Sequence, residues 1–160
     1  MIMVAGQYPK REWRDSPDGQ IRTIEAAVEI AKKHGVAIPD DITFHVDESG
    51  ELHKDLTARG PRVDKPRGER VYWSDLVHDI THKVPFRIWP GILKSDEAIV
   101  AVLAHEMHEI LTLRPLLERG EISIDDYVMH TEPGRPGNLH DEAWDVADRM
   151  VDKMRGVSPQ

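Results

Sequence analysis

Apolar residues return at helical spacing in the first third of the chain, at Ile21, Ile24, Val28 and Ala31. This predicts a helix starting near Ser16-Pro17-Asp18, where Ser or Asp can cap it, and stopping before Gly35. Pro39-Asp40-Asp41 then turns the chain into Ile42–Val46, whose alternation suits a strand. Residues 47–68 carry Gly60-Pro61, Pro66 and Gly68 among many charges, and read as a loop with a ragged hairpin at most. Strand-like runs return at Arg70–Ser74 and Val84–Trp89; Pro85 and Pro90 restrict the second to an edge or bulged strand. Ser95 caps the next helix, with Asp96 and Glu97 in its first turn and an almost unbroken apolar run behind them. Pro115 marks the end of that helix or a kink in it. A short helix is predicted at Ser123–His130 and a loop at Pro133–Gly137. Asn138 with Asp141 then opens a last helix running to about Met154. Helix, two or three strands, then two or more helices make an α+β domain.

Composition narrows the class only slightly. A chain of 160 residues is large enough for one domain with its own core. The expected organisation is a flexible arm at 1–15, one domain at 16–155 and a disordered tail at 156–160. A net charge of -8 argues against general nucleic-acid binding, which needs clustered cations. The absence of cysteine excludes disulfides and thiolate metal sites, so a metal would be held by His, Asp or Glu. No signal peptide or membrane-length apolar run is visible, which makes a cytoplasmic protein without a membrane partner the expectation, leaderless export aside.

The chemistry gathers at His105-Glu106-Met107-His108-Glu109, which closes the apolar run Ala98–Ala104. So polar a cluster at the end of a buried helix costs free energy unless something binds it, and metal ions are the usual reason. With His105 at zero, Glu109 falls at about 40°, Glu106 at about 100° and His108 at about -60°. His105 and Glu109 therefore stack on one face and can reach one ion, with Glu106 at the rim. His108 is the rival second ligand. On the last helix Leu139, Ala143, Val146, Ala147, Met150 and Met154 form an apolar arc. His140 falls within that arc and Glu142 at its edge, which makes His140 the candidate third ligand and Glu142 the reserve.

The run Ala98–Glu109 resembles the active-site helix of the zincin metallopeptidases, whose H-E-x-x-H motif places two ligands four apart around a general base. Here the second ligand position holds Glu109, giving H-E-x-x-E. Residues His140–Ala147 resemble the E-x-E-A-x-x-F-A pattern of the ImmA-like branch of the gluzincins, with His140 in the ligand place. The resemblance implies a minimal zincin-like fold: an N-terminal helix, a small mixed sheet, an active-site helix and a C-terminal ligand helix. Taken with the helix-face argument, in which the two departures compensate, it points to one zinc ion on His105, Glu109 and His140, with Glu106 as general base in peptide-bond hydrolysis and His108 as a neighbour of the site. A peptide or protein substrate would then lie along the Val84–Trp89 edge by strand addition. Tyr127 and His130 are the candidates to steady the oxyanion. Two other classes stand beside this one: a catalytically degenerate binding or regulatory module, and a metal-dependent toxin or mobile-element enzyme with a non-peptide substrate.

Other polar groups have plainer readings. His78 and His82 are four apart without an adjacent Glu or apolar run, which suits a surface pair. His34, His45 and His53 lack partners, and Trp13, Trp73, Trp89 and Trp144 suit packing. The acidic stretch Glu118–Asp126 suits a solvated face.

Overall fold

In the computed structural model, residues 20–156 are described. The arm expected at 1–15, Trp13, the start of the first helix at Ser16–Asp18 and most of the expected tail lie outside them. The architecture is α+β: helix α1 (Ile24–Lys33), strands β1 (Ile42–Val46), β2 (Ala58–Arg59), β3 (Arg70–Val71) and β4 (Val84–Ile88), helix α2 (Asp96–Arg119), strand β5 (Ile122–Ser123), and helices α3 (Ile124–Thr131) and α4 (Leu139–Met154).

The first helix starts later than its periodicity predicts. Thr23 caps the helix, accepting from the Ala26 amide, and Ile21 lies outside the helix, 72% exposed. The backbone N–H of Arg22 donates to Leu93 O at 2.9 Å, and its guanidinium pairs with Asp96 at 2.8 Å. That committed backbone holds residue 22 outside the helix. Ala27 and Ala31 are buried on the core side.

Strand β4 is not an edge. The three-stranded sheet runs β1-β4-β2, with β1 parallel to β4 (Ile42 opposite Val84, Val46 opposite Ile88) and β2 antiparallel to it. Successive residues of a strand direct their N–H groups to alternate sides. Val84 donates to Asp41 on the β1 side and Trp89 to Thr57 on the β2 side, so Pro85 directs its missing donor toward β2. There β2 pairs only Arg87 and Ile88, and no ladder bond is lost. Arg70–Ser74 is likewise shorter as a strand than predicted: β3 pairs with β5 over two residues and gives way to a 3-10 turn at Trp73–Asp75.

Helix α2 is the spine. Ala98 to His105 are buried on every face, because α1 lies on one side and α4 on another. Pro115 does not end it. The helix continues to Arg119 and closes at Gly120 in the left-handed region (φ 64), with Gly120 N–H on Leu117 O and Glu121 N–H on Leu116 O. Buried Leu113 and Leu117 hold both sides of the proline in register with the core. The buried face of α4 is turned further round than its apolar arc suggests. It takes in Trp144, Asp148, Val151 and Asp152, while Val146 and Met150 are half-buried. Among the described residues no helix is long and apolar enough to cross a membrane.

Candidate metal centre

Antiparallel packing of α4 on α2 sets the geometry. Glu97 near the start of α2 pairs with Arg155 beyond the end of α4, and Glu109 meets His140 at α4's beginning. Side chains one turn apart on α2 are thereby joined by one from a segment more than thirty residues later.

His105, Glu109 and His140 converge, their candidate ligand atoms all within 4.8 Å of one another. Glu109 Oε2 lies 3.2 Å from His105 Nε2 and 3.3 Å from His140 Nδ1. Donors held about 2.0–2.1 Å from a tetrahedral ion are separated by roughly 3.3–3.4 Å, close to the two contacts that Glu109 makes. His105 Nε2 is fully buried and, despite its closeness to Glu109, has no aligned hydrogen bond. A buried imidazole nitrogen in that state is one a cation would satisfy. His105 and Glu109 are 2% and 7% exposed, while His140 keeps a partly open edge. The two imidazoles meet edge to face at 4.6 Å between centroids, and the Trp144 ring covers His105 at 4.0 Å. With two imidazoles and one carboxylate, this group could hold a metal ion.

Electrostatics follow from burial. Desolvation pushes the Glu109 carboxyl up to about 8, with His105 pulling the other way and Glu106 adding to the rise. Burial likewise pushes the Tyr127 phenol up to about 12, helped by Glu109 and then Glu106. Tyr127 on α3 therefore senses both carboxylates. Glu106 sits at the rim with its Oε1 3.6 Å from His105 Nδ1, and its side chain retains 14% exposure.

The remaining candidates fall outside the triad. His108 Nε2 lies 3.6 Å from Glu142 Oε1, so the two reserve ligands face each other across the α2–α4 seam. His108 also lines a separate groove of about 320 Å³ walled by Met107, Leu111, Val146 and Met150. His78 and His82 lie in an exposed loop, where His78 Nδ1 accepts from the Ile80 amide at 3.3 Å. The placement of Trp144 over His105 was missed at the level of sequence. The available signal was its position one turn after His140, on the same side of α4.

Compared with family models, curated proteins and solved structures, the chain matches none.

Proposed function

We propose that this chain is a zincin-like metal-dependent hydrolase, most simply a peptidase, with one zinc ion on His105, Glu109 and His140. The observation that carries the reading is the buried convergence of those three side chains from two helices. The donor set suits zinc, leaving a fourth position open for water or substrate. A zinc ion bound there supplies Lewis-acid polarisation of a carbonyl and acidifies water. Glu106, at the rim and open to solvent, accepts the proton of the attacking water and returns it to the leaving amine. Trp144 keeps water from one face of His105. Tyr127 is the hydroxyl we assign to steadying developing charge on the substrate oxygen, since its phenol responds to both Glu109 and Glu106. Because β4 is central, an extended substrate would add to an outer strand, β1 or β2.

One observation favours a second reading. Glu109 lies close to both imidazoles with a carboxyl that burial keeps protonated near neutrality, so the cluster holds no uncompensated buried anion when no ion is bound. That is what a degenerate module would retain. Metal analysis after equilibration with zinc separates the two. One ion per chain is expected, with Glu106→Gln keeping it while hydrolysis of a mixed peptide library falls roughly 100-fold or more. A wild type that takes up no zinc refutes the enzyme, and full turnover in Glu106→Gln removes Glu106 as the base. Zinc uptake with inert peptides would move the search to non-peptide substrates.

A further inference from the structure

Asn138 does more than cap a helix. Its Oδ1 accepts from the Asp141 amide at 3.0 Å, which is all that N-capping requires and which Ser or Asp would do equally well. Its Nδ2 donates to Met129 O at 2.9 Å and to Glu132 O at 2.8 Å. The Met129 carbonyl lies in the last turn of α3 and the Glu132 carbonyl in the residue that ends it, where no intrahelical partner is available. Between them and Asn138 the chain runs through 133–137, which are exposed, with Gly134 and Gly137 in the left-handed region. That segment buries no side chain to fix how α3 meets α4. Beside the direct packing of α3 on α4, the two amide hydrogens join the helices one residue before α4 begins and two before His140.

We propose that Asn138 is a positioning residue for the metal centre, its amide donors steadying the first turn of α4, and with it His140, where the packing of α4 on α2 brings that side chain to His105 and Glu109. This inference rests on the metal reading of the cluster above. Asn138→Ser and Asn138→Asp both keep a capping acceptor and lose the two donors, so they loosen the junction while leaving α4 capped.

The test is zinc affinity, measured by competition with a chromophoric chelator, in wild type, both variants, His140→Ala, and His140→Ala combined with Asn138→Ser. Both single Asn138 variants should weaken zinc binding roughly 10- to 100-fold, the usual effect of losing an outer-shell support. In the His140→Ala background Asn138→Ser should change affinity less than about threefold, because the side chain it acts through is gone. Wild-type affinity in the Asn138 variants overturns the proposal. So does an equal loss with and without His140, which would mean general loosening. If Asn138→Ser fails to fold, Asn138→Asp carries the measurement, since a carboxylate cap also favours the α4 dipole. A wild type that binds no zinc is a separate result: it defeats the metal reading itself, and the positioning role with it.

Discussion

Replacing Glu109 by Gln makes a buried carboxyl that can ionise into an amide of the same shape that cannot. The ordinary pKa of the group is 4.5, and burial in the fold pushes it up to about 8. Between those values the folded chain holds a proton that the unfolded chain has released, so metal-free stability falls as pH rises through that window. Below pH 4.5 both states hold the proton and Glu109 costs nothing, whereas above about 8 both have lost it and the penalty is constant. At about 1.4 kcal/mol per pKa unit the full penalty is bounded at roughly 5 kcal/mol. That bound already contains the attraction to His105, which opposes burial. Urea unfolding of both proteins with a chelator present, from pH 5 to pH 9, gives the difference directly. The variant should match wild type within about 1 kcal/mol at pH 5 and exceed it by several kcal/mol at pH 9. Parallel pH profiles would show that Glu109 ionises freely in the fold, and the buried-cluster argument would be wrong.

The same proton has a second signature: zinc binding at pH 7 should release about one more proton from wild type than from Glu109→Gln, since a ligating carboxylate must be ionised. Calorimetry in buffers of different ionisation enthalpy reads this, and equal release from both proteins would take Glu109 out of the ligand set. Arg114 holds Asp41 through two hydrogen bonds, at 3.0 and 2.5 Å, and stacks over Trp73 at 4.0 Å, tying α2 to the start of β1. Arg114→Ala should cost about 2 kcal/mol in urea unfolding at pH 7. Asp41 is held below its ordinary 3.8 chiefly by the Arg114 hydrogen bond, so this contribution is present above pH 3.8 and fades as pH drops through the lowered value. A loss of equal size at pH 2 and pH 7 would refute the assignment. Gly120→Ala should destabilise by at least roughly 1–2 kcal/mol from the left-handed backbone alone. A Cβ there would also stand 2.2 Å from the Tyr72 ring, so adding Tyr72→Ala should recover the steric part only. Unchanged melting of Gly120→Ala would contradict both terms.

What could be read without coordinates follows from local physics. The caps at Ser95 and Asn138, the strand Ile42–Val46 and the short helix Ile124–Thr131 all appear where residue types and periodicity place them. His105 and Glu109 share a face because 3.6 residues make a turn, whatever else the chain does. The errors came where a distant partner outweighs local preference. The Arg22–Leu93 hydrogen bond delays α1 beyond its periodic start, β2 stops short of Pro85 so that a proline-bearing strand can be central, and core leucines carry α2 through Pro115. For the candidate site, one helical turn determines the pair His105 and Glu109. Only the antiparallel seating of α4 decides that His140 completes the group, that His108 turns to Glu142 instead, and that Trp144 lies over His105. The angle and register of two packed helices depend on every side chain between them.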